Sequence, residues 1–226
     1  MKKVFLMAAI AAFSTTSFAQ TTFGIQAGAN IASAKMEQTE SGVTSKLNTD
    51  SKTGFLIGAV AEVPFGTSIN FRPELNFIQK GFKYSKSTGG LGVSNKTTLN
   101  YIELPLNFVY HAEAGAGTVF FGAGPSFGFG ISGKSKTTQT GEPDENQDVK
   151  FDGKKDADVT DKNIHLKAFD FGVNATAGYK MANGVYLSVG YTFGLANIDP
   201  NANSSFKNIG GLSLKLGYMF GGAGSN

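Results

Sequence analysis

The feature that most constrains this fold is an alternation of apolar and polar side chains that recurs in eight separate segments. In INFRPELNFIQKG (69–81), for example, Phe71 and Phe77 alternate with Arg72 and Asn76. A repeat of two places successive side chains on opposite faces of a β-strand, so we predict an all-β chain. The eight predicted strands are 22–34, 54–63, 68–83, 98–110, 118–131, 166–180, 185–196 and 208–220.

The polar face of these segments is unusual for a sheet that faces water. It holds few charges and many small residues, as in FFGAGPSFGFG (120–130), and the chain contains 30 glycines and 20 phenylalanines. A water-exposed face would normally be crowded with lysine, glutamate and threonine. The pattern therefore favours the reverse arrangement, in which the apolar face meets lipid and the polar face points inward.

The connections between the predicted strands alternate between long and short without exception. The short ones are 64–67, 111–117 and 181–184, and the long ones are 35–53, 84–97, 132–165 and 197–207. Long loops at one rim and short turns at the other are typical of bacterial outer-membrane barrels. Because a sheet in a bilayer must pair every backbone amide, it closes on itself. We therefore predict a closed eight-stranded antiparallel up-and-down transmembrane β-barrel, with the four long loops external and free to contact a protein or ligand.

The first residues of the chain have the composition of an export signal. Lys2 and Lys3 precede an apolar run at 4–13, and SFA (17–19) forms a small-x-small cleavage site. We predict a cleaved signal peptide at 1–19 and an outer-membrane β-barrel domain at 20–226. Loss of the two lysines lowers the formal net charge from +3 to +1, which leaves no basic surface for nucleic acid. The chain has no cysteine, which excludes disulfides and thiolate metal sites.

Seven charged side chains fall on the predicted inward face. Desolvated charges persist only when they are paired and hydrogen-bonded. An eight-stranded barrel also has an interior that side chains can fill. We therefore predict an interior ion-pair network centred on Arg72. Its members are Glu62, Arg72, Glu74, Glu103, Asp170, Lys180 and Lys215.

Three prolines, Pro73, Pro105 and Pro125, lie inside the third, fourth and fifth predicted strands. Proline cannot donate to a strand ladder and is usually confined to edges or bulges. Because a closed barrel has no edges, we expect β-bulges near these three positions.

Motifs that could carry chemistry occur in contexts that argue against catalysis. GPSFG (124–128) matches a nucleophile elbow, but it lies within an alternating strand rather than a strand–turn–helix. His111 and His165 are predicted at opposite rims, so they cannot share one site. The acidic tract 142–161 lacks the spacing of an EF-hand, which favours a solvated external loop. We predict no enzyme activity, no cofactor and no metal site.

The order of several segments resembles a known family. FGIQAGANIA follows the signal end SFAQ, and RPELNFIQKG, YIELPLNFVY, FFGAGPSFGFG and LKLGYMF come after it. Over the mature chain this order resembles the PorT-like outer-membrane β-barrel family, a porin-type family of Bacteroidetes-type Gram-negative bacteria. The resemblance implies an eight-stranded barrel in the cell outer membrane, surrounded by its lipid. It does not imply the secretion role of PorT itself.

The sequence leaves several functions open. The first is a structural or interaction barrel with a side-chain-filled interior and external loops. The second is a narrow pore for small solutes, although eight strands leave little room for a lumen. A soluble secreted barrel of lipocalin type, with an apolar ligand inside, explains the alternation but not the glycine-rich polar face. An outer-membrane enzyme would have to use serines and acids at the interior or the rim.

Overall fold

The structure is a computed structural model that describes residues 21–40, 43–155, 161–201 and 204–220. The predicted signal peptide at 1–19 lies outside these residues. Within them no helix is long and apolar enough to cross a membrane. The described strands are β1 (Thr22–Glu40), β2 (Val43–Asn48), β3 (Asp50–Pro64), β4 (Ile69–Thr88), β5 (Leu91–Ala114), β6 (Gly117–Gln139), β7 (Glu145–Lys150), β8 (Ile164–His165), β9 (Phe169–Met181), β10 (Val185–Gly194) and β11 (Ser204–Phe220).

Eight of these strands pair in an antiparallel ring. From β1 the pairing runs through β3, β4, β5, β6, β9, β10 and β11, and β11 pairs in turn with β1. Each of the eight strands therefore has a neighbour on both sides. The fold is all-β, and the eight predicted strands correspond in order to the eight strands of the ring.

Several ring strands extend further than predicted. The segment 35–53 contains the end of β1, all of β2 and the start of β3, so the prediction of a loop there is wrong. The predicted loop 84–97 is also wrong, because β4 and β5 pair up to a turn at Gly89 and Gly90, both with positive φ. These extensions lack apolar–polar alternation. Their backbone amides still pair across neighbouring strands, because this pairing does not depend on whether the side chains meet lipid, water or the interior.

Short strands cover the edges that the long extensions expose. β1 continues beyond its last pair with β3, and β2 pairs with that continuation. β6 likewise continues beyond its last pair with β9, and β7 pairs with it there, followed by β8 in parallel with β7. The predicted loops 132–165 and 197–207 are thus partly strand, because unpaired amides on a long strand favour a partner.

The prediction of bulges at Pro73, Pro105 and Pro125 is wrong. The register is the same before and after each proline. Each proline instead removes two successive residue pairs from one ladder: β3–β4 at Pro73, β4–β5 at Pro105 and β5–β6 at Pro125. The missing N–H interrupts only the ladder that it faces, so the other ladder holds the register. Register shifts lie elsewhere, at Ser33/Ala34, Ser51/Leu56 and Asn100/Tyr101.

Burial in the ring is reversed relative to a soluble sheet. Leu75 is 54% exposed, whereas Arg72 on the same strand is 0% exposed. This arrangement contradicts the soluble lipocalin-like alternative, which requires the apolar face inside. Other exposed apolar side chains are Phe23, Ile25, Phe55, Ile57, Phe108, Phe121, Leu187, Val189, Leu214 and Leu216.

Candidate functional site

Three groups of buried or half-buried side chains inside the ring bear on its function. We call Glu62, Arg72, Glu74, Lys180 and Lys215 the Arg72 cluster, and Lys80, Glu103 and Asp170 the Lys80 cluster. The third group, the apolar mouth, lies among the strand extensions. It consists of Ala34, Leu56, Ile78, Phe82, Leu99, Tyr101, Val149, Leu166, Ile198 and Phe206.

The guanidinium of Arg72 lies between two carboxylates and two aromatic rings. Its Nη1 lies 2.5 Å from Oε1 of Glu62, and its Nε lies 3.5 Å from Oε1 of Glu74. The guanidinium carbon is 4.7 Å from the ring centroids of both Phe120 and Tyr186. Charge-assisted hydrogen bonds and cation–π contacts together offset part of the cost of burying this charge.

Glu74 and Glu62 each have a second cation. Nζ of Lys215 donates to both oxygens of Glu74, at 3.0 and 2.8 Å. Nζ of Lys180 donates to Oε2 of Glu62 at 3.0 Å. Nε2 of Gln26 also donates to Glu74, at 2.7 Å. The five charged residues of the Arg72 cluster are therefore linked by direct contacts.

Glu103 and Asp170 contact Lys80 rather than the predicted centre at Arg72. Nζ of Lys80 lies 2.5 Å from Oε2 of Glu103 and 3.7 Å from Oδ2 of Asp170. It also lies 5.0 Å from the ring centroid of Tyr101. Oγ of Ser126 donates to the other oxygen of Glu103 at 3.0 Å.

The sequence interpretation missed Lys80, although two signals pointed to it. Lys80 has the same strand parity as Arg72, so it falls on the same face of β4. The predicted network also contained four acids and only three bases, which left one carboxylate without a partner. With Lys80 included, the two clusters hold four acids and four bases.

Glycines on the buried face make room for the aromatic rings around Arg72. A Cβ atom at Gly217 would overlap the ring of Tyr186, and one at Gly178 would overlap the ring of Phe120. At these two positions glycine therefore makes room for a large side chain inside the narrow ring, whereas at Gly28 and Gly124 a Cβ atom would meet a backbone carbonyl of the neighbouring strand.

The apolar mouth was not predicted. On β4 the buried face changes from charged to apolar, so that Ile78 and Phe82 flank Lys80. Val149 comes from the segment 132–165, which was predicted to be loop, where no periodic signal marks a buried residue. Leu166 was predicted as the first residue of the strand 166–180, but it lies in the irregular stretch before β9. The interior thus has a charged part and an apolar part.

The two histidines belong to different surroundings. Nε2 of His111 lies 3.7 Å from Oε1 of Glu62. His165 lies between two carboxylates, with Nδ1 2.8 Å from Oδ1 of Asp152 and Nε2 3.0 Å from Oδ2 of Asp161. These hydrogen bonds raise the pKa of His165. The pKa of Asp152 is lowered chiefly by its hydrogen bond to His165, and the pKa of Asp161 chiefly by hydrogen bonds from the backbone and side chain of Asn163. Among the described residues no group of histidines and acids is arranged to hold a metal ion.

The nucleophile-elbow motif does not form an elbow. Ser126 lies within the continuous strand β6, and its hydroxyl is buried and bonded to Glu103. Neither imidazole is hydrogen-bonded to it among the described contacts. The arrangement around Ser126 is that of a hydrogen-bond donor to a buried carboxylate.

Comparisons with known proteins identify the family. No curated protein sequence matches the chain. Similar solved structures include OprG from Pseudomonas aeruginosa, with 13% identity, 88% of this chain and 95% of that chain covered, and a TM-score of 0.49. Neisserial surface protein A has 17% identity, 87% and 95% coverage and a TM-score of 0.40. Ail from Yersinia pestis, solved with a heparin analogue, has 13% identity, 87% and 99% coverage and a TM-score of 0.32.

A family model described as an outer membrane protein beta-barrel domain matches residues 18–200, which is more than half of the chain. The chain therefore belongs to this family of outer-membrane β-barrel proteins, and its location is the outer membrane.

Proposed function

We propose that the eight-strand ring is a closed, up-and-down transmembrane barrel without a conducting lumen. In this proposal the protein is a structural or interaction barrel that presents its long hairpins outside the cell, where they can contact a protein or ligand. The observation that carries the proposal is the pair of clusters across the interior. Their four acids and four bases balance when the clusters are taken together, since the Arg72 cluster has one excess base and the Lys80 cluster one excess acid. The order of segments from 23–32 to the last strand further supports placing the chain in the PorT-like branch, with the signal peptide at 1–19 removed.

The outer surface of the ring supports a transmembrane position, because its exposed residues change from apolar to polar at one height along the strands. Phe77, Ile102 and Phe129 lie side by side, as paired residues of the neighbouring strands β4, β5 and β6. Toward the long hairpins, the next residues on the same face of β4 and β5 are Gln79 and Asn100. On β6 the register shift inserts the exposed Ile131 before Ser132. Gln79, Asn100 and Ser132 are joined by hydrogen bonds of 3.3 and 3.0 Å. The change from apolar to polar at one level is expected where hydrocarbon gives way to headgroups and water.

Strand length supports the same arrangement. The shortest ring strand, β10, has 10 residues. A tilted strand needs about 9–11 residues to cross a bilayer. All eight ring strands are therefore long enough to span it.

The cavities beside the clusters support a barrel whose interior is blocked by side chains, which we call the plug, rather than a narrow pore. The cavity that touches Lys80 and Asp170 has about 10 Å³ of free volume, and the one that touches Glu74 and Lys215 has about 20 Å³. A cavity needs roughly 10–15 Å³ to hold one water molecule. Spaces of this size have room for about one water each and not for a solute pathway.

Planar-bilayer recording tests this proposal. We expect the wild-type protein to give no stepwise conductance. The double variant Arg72→Ala/Glu62→Ala removes an ion pair and side-chain volume from the interior, and we expect it to conduct. Leu75→Ala, on the exposed face, is the matched control and is expected to remain silent. Stepwise conductance by the wild type would refute the plug, and silence of a folded double variant would show that other side chains block the interior.

A further inference from the structure

The apolar mouth contains a cavity that the proposed plug does not use. It has a volume of about 450 Å³ and opens among the strand extensions. Its walls include Met36, Phe82, Val149, Leu166 and Phe206. Pockets that bind small molecules typically have about 300–1,000 Å³ and mostly apolar walls with a few polar groups. The cavity therefore has the size and composition of a ligand site.

Three charged groups at this cavity are paired, and the fourth, Asp199, accepts a hydrogen bond from the backbone N–H of Asn201 at 2.8 Å. Glu37 pairs with Lys35 at 3.0 Å, and Lys46 lies 3.9 Å from the same carboxylate. His165 is held between Asp152 and Asp161, as described above. A charged ligand would have to displace one of these contacts or lose water without a counter-charge.

One polar atom at the cavity lacks a partner. Oγ of Ser204 is buried and makes no hydrogen bond within the described part of the chain. Buried hydroxyls are normally hydrogen-bonded, so an isolated one beside a cavity indicates the place of a ligand's polar group. Thr97, which also lines the cavity, already contacts Asn95 and Ser135.

Residues between the cavity and the charge clusters close its inner side. Tyr101 is 0% exposed, and its ring packs against Phe151 at 5.3 Å and lies over Lys80. A molecule that enters from outside therefore meets a closed end rather than a passage. This geometry fits retention of a ligand better than transport.

We propose that the apolar mouth is a binding site for a small, uncharged, predominantly apolar molecule with one hydrogen-bonding group. The apolar body packs against Phe82, Val149 and Phe206, and its single polar group bonds to Ser204. This inference goes beyond the proposed plug, and it holds whether or not the protein has a binding partner on its outer surface.

A pair of matched fluorescent probes tests the proposal. N-phenyl-1-naphthylamine is uncharged and apolar and has one N–H, and 8-anilinonaphthalene-1-sulfonate has the same rings with an added sulfonate. We titrate each into the folded mature protein, residues 20–226, in lipid nanodiscs and subtract the signal of empty nanodiscs. We expect saturable binding of the uncharged probe and at least tenfold weaker binding of the anionic one.

Three variants locate the binding. Met36→Trp narrows the cavity and is expected to weaken binding of the uncharged probe at least tenfold. Leu187→Trp makes a similar change on the lipid-exposed face and is expected to leave binding unchanged. Ser204→Ala removes only a hydroxyl and is expected to weaken binding by about two- to tenfold, the range for one hydrogen bond. Folding of each variant is checked by migration of unboiled and boiled samples on a detergent gel.

Any of three results would overturn the proposal. The first is a signal that rises linearly and equals that of empty nanodiscs, so that nothing remains after subtraction, because the probe would then only dissolve in lipid. The second is equal binding of the anionic probe. The third is equal weakening by Leu187→Trp and Met36→Trp. If Met36→Trp does not fold, an unchanged affinity in Ser204→Ala would by itself reject the assigned polar contact.

Discussion

At the scale of single residues, the main feature is a set of buried charges that depend on one another. Removing one partner of a buried ion pair leaves the other desolvated and unpaired, which is usually more costly than the pair was favourable. Lys80 is the clearest case, since it is the base in contact with both Glu103 and Asp170. Arg72 by contrast shares its carboxylates with Lys180 and Lys215.

Replacing Lys80 with an uncharged residue should therefore destabilise the protein strongly. We expect Lys80→Met to lower the free energy of unfolding by about 3–5 kcal/mol, because Glu103 and Asp170 lose their cation. Urea unfolding in lipid vesicles measures the change. Lys83→Met, at an exposed position of the same strand, is the control, and equal effects of the two variants would contradict the assigned pairing.

Gly217 allows a second test at this scale. A methyl group there would overlap the ring of Tyr186, which contacts Arg72. We expect Gly217→Ala to cost about 1–3 kcal/mol of unfolding free energy, as overpacking of a closed interior does. Gly92→Ala adds the same methyl group where the nearest atom, Oγ1 of Thr140, is 3.5 Å away, and it should unfold like the wild type. An equal loss in both variants would point to a backbone effect of glycine instead.

At the scale of elements, alternation was sufficient to predict the ring strands and the inward face of Arg72 and Glu74, but not the ends of the strands. Beyond Gln79 on β4 the exposed face becomes polar, so the contrast that marks a strand disappears while the backbone pairing continues. The apolar mouth escaped prediction for a related reason. Val149 comes from the short strand β7, Leu166 from the irregular stretch between β8 and β9, and Phe206 from the first residues of β11, so only their meeting in space makes them a cluster.

The region around β8 should respond to pH through His165. Hydrogen bonds to Asp152 and Asp161 raise the pKa of His165 above its usual value of 6.5. Its contribution to stability is therefore complete below pH 6.5 and is lost as the pH rises through the folded-state pKa. The pKa values of the two aspartates are lowered from 3.8, so their contribution is lost only as the pH falls below that value.

Hydrogen exchange of the backbone amide of Leu166, which donates to Lys150, measures this local stability. After correction for the intrinsic pH dependence of exchange, we expect its protection to fall as the pH rises from 6.5 through the folded-state pKa of His165. His165→Gln should remove this step while the amides of β10 stay protected. A step of the same size in the variant would mean that another group controls the region.

At the scale of the whole molecule, the outer and inner surfaces of the ring have opposite polarity at each height along the strands. Around the charge clusters the outside is apolar, with Leu75 54% exposed. Around the apolar mouth the outside is polar, with Lys134 exposed beyond the level of Ser132. This reversal follows from the surroundings, because hydrocarbon outside favours charges enclosed and paired, whereas water outside favours apolar side chains enclosed.

Single spin labels test this reversal directly. The chain has no cysteine, so Leu75→Cys and Lys134→Cys can be labelled without removing other thiols. In lipid vesicles we expect the label at 75 to collide with molecular oxygen, which concentrates in hydrocarbon, and the label at 134 with a water-soluble nickel chelate. A label at 187 should behave like the one at 75, since Leu187 is exposed to a similar extent. Access of the nickel chelate to positions 75 and 187 would mean that water bathes the apolar face, which is incompatible with a membrane-spanning ring.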